Sequence, residues 1–344
     1  MADTKGSALT AHTTPAVTDP IYVFPSSTSL QATMDMYLGL MVRQADGRLT
    51  LATATPITTT GQSSKSVVYY TPYNGNKIAL YNGTIWKLYQ FTEKSVTLSG
   101  LTSARNYDVF GYVNSGALKI DIGPTWNAGA VSGSDTARGT GAGSTELTTQ
   151  DGAWVNANAI TTGIAGDSVA AKAGRYLGSF RTTGTTTTED SLTKRFLFNA
   201  QNIVQRPLRR IEGTTSWLKG ALATGTWRQA NGSTSNQIEV LAGLLGPSMM
   251  AMRVSALCAN ATSGQSENVG IGEDSITAVS SEATSCFHYH PAANSYTNGF
   301  AFLSKAVPLG YHYYAWLEQY SGGTPTWFGT SSPSDMGITG ELSA

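Results

Sequence analysis

The stretch from Cys286 to Pro291, CFHYHP, carries the residue types best suited to metal chemistry. In a β-strand His288 and His290 fall on one face, and Cys286 shares their parity. A zinc centre needs three or four ligands with supporting partners. No second His or Cys pair is close in sequence, and His12 and His312 are distant. The expected reading is therefore a partly buried strand with polar histidines at an interface, and no metal site is assigned. Carboxylates could serve as a glycosidase pair, with Asp108, Asp151, Glu189, Asp190 and Glu318 as candidates. Their spacing along the chain pairs none of them. RGTGAGSTE, Arg138 to Glu146, is glycine-rich but lacks the Gly-Lys-Ser/Thr end of a phosphate-binding loop. It reads as a surface loop. No Gly-x-Ser-x-Gly elbow is present, so no catalytic residue and no cofactor is assigned.

Two further clusters suit binding. Lys194, Arg195, Arg206, Arg209 and Arg210 could meet a phosphate or an acidic partner, but Glu189, Asp190 and Glu212 flank them. An ion-pair network, internal or between subunits, is the expected reading. The C-terminal region is rich in aromatic residues that could stack on sugars. Strand alternation puts Tyr314 and Trp316 on one side and Tyr313 and Leu317 on the other, so one set should be core. Tyr311, Tyr313, Trp316 and Trp327 are the candidates for glycan or subunit contact.

The elements that must position these residues read as strands. Val96 and Leu98 alternate with Thr97, and Leu118, Ile120 and Ile122 alternate with Lys119 and Asp121. Period-two segments separated by turn residues predict antiparallel β-sandwich domains, jelly-roll-like and in tandem. Asn74-Gly75 and Asn82-Gly83 are each predicted to reverse the chain in a hairpin, since a type I′ turn needs two positive φ angles. Ile78 and Leu80 would then share a buried face. One short helix is expected from the spacing of Leu30, Met34, Leu38 and Met41, with Ser29 as its N-cap. Residues 236–257 are apolar enough to be either helix or strand. The organisation predicted is an N-terminal segment at 1–47, a first β domain at 48–125, a connector at 126–165 and a second β domain at 166–344.

Composition supports that class. Charged residues make up 13% of the 344 and apolar residues 40%, and Thr favours strands while Gly and Asn supply turns. With 22 basic and 22 acidic residues, no net field would draw the chain to nucleic acid or an anionic membrane. No apolar run is long enough to span a membrane and no signal-peptide core is seen. The two cysteines read as isolated thiols, and the sequons at Asn82, Asn231 and Asn260 as chance.

Several segments together resemble tailed-bacteriophage virion proteins of the fibre and spike class. They include the leader MADTKGSALTAHTTPAVTDPIYVF, the run VVYYTPYNGNKIALYNGTIWKLYQFTE, DTARGTGAGSTEL and FRTTGTTTTEDSLTKRFLFNAQNIVQRPLRRIE. The likeness covers roughly residues 1–240. It implies an all-β, trimeric, non-enzymatic virion component, assembled in the host cytoplasm. Ile21, Tyr22, Val23, Phe24, Leu30, Met34, Leu38 and Met41 would attach it to the particle. Partners implied are further copies of the chain, other tail, collar or capsid proteins, and a host surface glycan. A capsid decoration protein and a glycan-depolymerising tailspike are the alternatives.

Overall fold

The structure is a computed structural model that describes residues 39, 41–127, 133–330 and 335–344. Residues from Met41 to Ala344 form one compact unit. Its described part is all-β, with 27 strands and one 3-10 turn at Ala230–Gly232. The region 236–257 resolves as strands Gln237–Ala242 and Met249–Asn260, broken by Gly243, Gly246 and Pro247. The helix expected to open at Ser29 lies outside the described residues. Its last expected member, Met41, is half-buried against Val42, Ala79, Trp86, Ala153 and Val155, and so serves the body of the protein.

Two pairs of larger sheets, with two two-stranded sheets beside them, build the described part of the unit. In the first, strands Gly47–Thr50, Val67–Pro72 and Lys94–Thr97 form a three-stranded sheet. It shares a core with a six-stranded sheet centred on Asn106–Asn114 and Arg175–Arg181. Leu49, Val68, Tyr70, Val109, Ile120, Leu177 and Phe180 fill that core. Phe110, Tyr112 and Tyr176, of opposite parity, pack into a separate cluster with Phe198 and Leu244. The six-stranded sheet is thus buried on both faces, which is why NYDVFGYVN shows no polar alternation.

In the second pair, an eight-stranded sheet runs through Gln237–Ala242, Gly310–Tyr320, Gln265–Glu273 and Cys286–His290. It faces a six-stranded sheet centred on Met249–Asn260 and Gly337–Ser343. Ile238, Val240, Met252, Val254, Tyr314, Trp316, Trp327 and Ile338 lie in the core between them. Here the period of two is plain: Met249–Asn260 and Tyr296–Ala306 alternate buried and exposed along most of their length.

Strand pairing crosses the boundary predicted near 165. Arg175–Arg181 pairs with Asn106–Asn114 in the first pair of sheets. Gln62–Lys65 pairs with Thr188–Asp190 in the eight-stranded sheet. The two layered bodies therefore exchange strands. Within the first body, buried Arg175 also crosses the predicted boundary, its Nη1 donating to the carbonyls of Val42 (2.8 Å), Gln44 (3.0 Å) and Ala79 (2.9 Å).

One of the two expected Asn-Gly hairpins forms. Lys77–Tyr81 and Trp86–Gln90 pair across a four-residue loop, Asn82 to Ile85, in place of the type I′ turn expected: Asn82 Oδ1 accepts from the amides of Thr84 and Ile85, and only Gly83 of the pair takes a positive φ, +96°. Ile78 and Leu80 are buried, as the hairpin reading requires. Asn74-Gly75 instead carries the chain from Val67–Pro72 into a different sheet. Asp46 decides this: its backbone carbonyl accepts from Asn74 N (3.0 Å), and its carboxylate accepts from Lys77 N (2.9 Å).

Candidate functional site

The four aromatic candidates of the C-terminal region do not form a surface. Trp316 and Trp327 are 0% exposed and belong to the core. This corrects their assignment as contact residues. Both parities of Gly310–Tyr320 are buried around Trp316, and the strand sits centrally in its sheet between Gln237–Ala242 and Gln265–Glu273. Tyr311 is half-buried; its hydroxyl donates to Glu239 (2.8 Å) and Arg181 lies 3.8 Å over its ring. Tyr313 alone of the four keeps a partly open face without such a lock.

The exposed aromatics lie elsewhere. Phe287 (67% exposed) and Tyr289 point outward from Cys286–His290, and Tyr296 (66% exposed), Phe300 and Phe302 from Tyr296–Ala306. These two strands meet where the two sheets of the second pair come together; a single bridge joins Thr284 to Phe302. The sequence hides this edge. YTNGFAFLSKA carries apolar groups on both parities, so period two alone cannot say whether Phe300 and Phe302 or Ala301 and Leu303 face the core.

Beneath the edge, the inward parity of CFHYHP is buried. His288 is almost fully enclosed and has no hydrogen-bond partner at either ring nitrogen. Burial, helped by His290, lowers its pKa to about 4. It fits because residue 299 is glycine: a Cβ there would lie 1.3 Å from His288 Nε2. Cys286, the cysteine that shares the strand, is exposed.

His290 meets the other cysteine. Cys258 Sγ lies 3.8 Å from His290 Nε2, Thr297 Oγ1 lies 3.2 Å from the same nitrogen, and Glu267 Oε2 touches it directly. His290 Nδ1 is 2.9 Å from the Ser295 carbonyl, and Glu267 Oε1 accepts from Asn260 Nδ2 at 2.6 Å. Cys258, Glu267 and His290 are each 0% exposed. Burial pushes the Cys258 thiol up to about 12, so this cysteine is no activated nucleophile. Asn260, the asparagine of one sequon, is fully buried here.

The remaining chemical candidates are held in separate local networks. Asp108 is fully buried and accepts from Trp126 Nε1 (3.0 Å), Thr145 Oγ1 (2.7 Å) and Ser179 Oγ (2.7 Å). Arg138 clamps it with both Nε (2.6 Å) and Nη2 (2.8 Å) while stacking 4.1 Å over Trp126. The glycine-rich stretch is a surface loop at residues 140–143, as expected, and Arg138 anchors its start. Asp151 accepts from Trp86 Nε1, and Glu189 from Ser191. Glu318 accepts from Trp217 (2.9 Å) and Arg228 (2.7 Å). Burial raises its pKa to about 7 against the pull of Arg228. Among the basic residues, Arg195 and Arg206 both pair with Asp190 at 3.0 Å and Lys194 faces Glu239, an internal ion-pair network. Ile21, Tyr22, Val23, Phe24, Leu30, Met34 and Leu38 lie outside the described residues.

No protein-family model matches the chain, and no curated protein does. Among solved structures it is similar to a Cry1Da tryptic core variant of Bacillus thuringiensis, at 10% identity over 81% of this chain and 48% of that one, with a TM-score of 0.17. The insecticidal delta-endotoxin Cry8Ea1 of Bacillus thuringiensis gives 9% identity, 90% and 55% coverage and a TM-score of 0.20. Infectious bursal disease virus, Gx strain, gives 10% identity, 84% and 76% coverage and a TM-score of 0.19. The chain spans about half the length of the two toxins. TM-scores this low assign neither fold nor function. Among the described residues no helix is long and apolar enough to cross a membrane.

Proposed function

We propose that this chain is a non-enzymatic structural protein of a tailed-bacteriophage virion. In this reading it is a fibre or spike whose N-terminal segment docks onto the particle. Its body, two tandem β-sandwiches of jelly-roll-like character, projects as a trimer and presents a contact surface to a host glycan or a virion partner. The observation that carries the reading is the set of exposed aromatics Phe287, Tyr289, Tyr296, Phe300 and Phe302 on two adjoining strands. Aromatic rings are enriched where proteins make contact surfaces. Repeated copies would convert weak individual contacts into avidity. The dispersal of Asp108, Asp151, Glu189, Asp190 and Glu318 into separate networks weighs against a depolymerase, which needs two carboxylates about 5–9 Å apart across a groove.

Sedimentation equilibrium on the full chain and on a chain beginning at Met41 tests the reading. The shorter chain keeps Val42 and strand Gly47–Thr50, both buried in the body. Trimers in both are expected. Monomers in both would overturn the self-assembling fibre and favour a decoration protein ordered by the particle.

A further inference from the structure

We propose that Cys258 Sγ, Glu267 Oε2 and His290 Nε2 form a binding site for one borderline-soft divalent metal ion of the zinc type, which staples the two sheets of the second pair together. Cys258 comes from Met249–Asn260 in one sheet, and Glu267 and His290 from Gln265–Glu273 and Cys286–His290 in the facing sheet. The three ligand atoms lie within 4.8 Å of one another. This is the mixed sulfur, nitrogen and oxygen donor set that zinc takes.

Proton bookkeeping at His290 favours an ion. The Ser295 carbonyl at 2.9 Å accepts only, so Nδ1 is the protonated nitrogen and Nε2 of the neutral ring presents a lone pair. That lone pair points among Glu267 Oε2, Cys258 Sγ and Thr297 Oγ1. Were Nε2 also protonated, its single N–H could serve one of these neighbours, whereas a cation at the centre serves all. Glu267 Oε2 has no neighbouring donor besides His290 Nε2, while its other oxygen is fixed by Asn260 at 2.6 Å. A ring N–H on a backbone carbonyl and a carboxylate oriented by an amide are the supports that ligating His and Glu residues use. Charge also balances. One divalent ion, a thiolate, a carboxylate and a neutral imidazole sum to zero, which a site closed to water requires. The thiol proton leaves to solvent on binding. Three protein ligands leave one tetrahedral position, beside the Thr297 hydroxyl, 3.6 Å from Cys258 Sγ.

The inference stands whether or not the chain is a fibre. The test unfolds the full chain in chelator and refolds it with Zn2+, with Co2+ or with neither. One ion bound per chain, a thiolate-to-cobalt charge-transfer band and a raised unfolding midpoint are expected. Cys258→Ser should remove the band, and Cys286→Ser, which alters the exposed cysteine, should keep it. Refolded wild type with no band, no stoichiometric metal and a midpoint indifferent to Zn2+ would overturn the site. Those wild-type readings decide the matter even if Cys258→Ser fails to fold. A band that survives in Cys258→Ser and vanishes in Cys286→Ser would overturn it as well.

Discussion

Asp108 shows how much one buried carboxylate can organise. It receives hydrogen bonds from four side chains on different segments, and the guanidinium of Arg138 makes two of them. Asp108→Asn keeps the volume but leaves Arg138 as a buried cation without its counter-charge. A loss of about 3–5 kcal/mol is expected in urea unfolding, against about 1 kcal/mol for Ser179→Ala, which removes one neutral donor. Equal losses would contradict the central role of the ion pair. His312 gives the pH prediction. Its burial lowers its pKa, but the hydrogen bond from Nδ1 to Asp274 at 2.6 Å and the nearby Glu273 overcome that and leave it raised above 6.5. Its stabilisation is complete below pH 6.5 and fades as pH rises through the higher folded value. Asp274, lowered chiefly by His312 against its own burial, loses its contribution as pH falls below 3.8. The unfolding midpoint should therefore drop as pH rises above 6.5, and His312→Gln should remove that part of the slope.

Among the elements, the close approach of Cys286–His290 and Tyr296–Ala306 depends on a single missing side chain. Gly299→Ala would drive a Cβ into the His288 ring, and overpacking of this kind costs about 1–3 kcal/mol. His288→Ala removes the obstruction, so the double variant should recover part of the loss in a thermal-melt cycle. Strictly additive losses would mean the two residues do not clash. This is also the scale at which the sequence is most and least readable. Alternation in MMAMRVSALCAN marks the inward face correctly, because one side of most of that strand meets a core and the other does not. It fails at GYHYYAWLEQY, buried on both sides. It fails again at the cysteines: parity joins Cys286 to His288 and His290, yet the thiol beside His290 arrives from the facing sheet, with Glu267 on a neighbouring strand. A site assembled from three strands across two layers leaves no spacing to read.

For the whole molecule, the all-β class follows from turn-rich, Thr-rich composition, but the division into bodies does not. Gln62–Lys65 and Arg175–Arg181 each pair on the far side of the predicted boundary, and no local pattern announces which distant edge a short strand will join. Exchange of strands couples the two layered bodies, so a chain beginning at Met41 should unfold by heat in one calorimetric transition. Two well-separated transitions would show the bodies to be independent.

That exchange also sets a timetable for synthesis. Lys65 pairs with Thr188, and the Arg48 guanidinium donates to the Ala344 carbonyl at 2.7 Å. At ribosomal speeds, Gln62–Lys65 emerges on the order of ten seconds before its pairing partner. Throughout that wait its edge is open to neighbouring nascent chains. Pairings this distant in sequence make for slow folding, and a polysome making many copies would bring such open edges close together. Yield should therefore fall as expression rate rises, and slower translation at lower temperature should restore it.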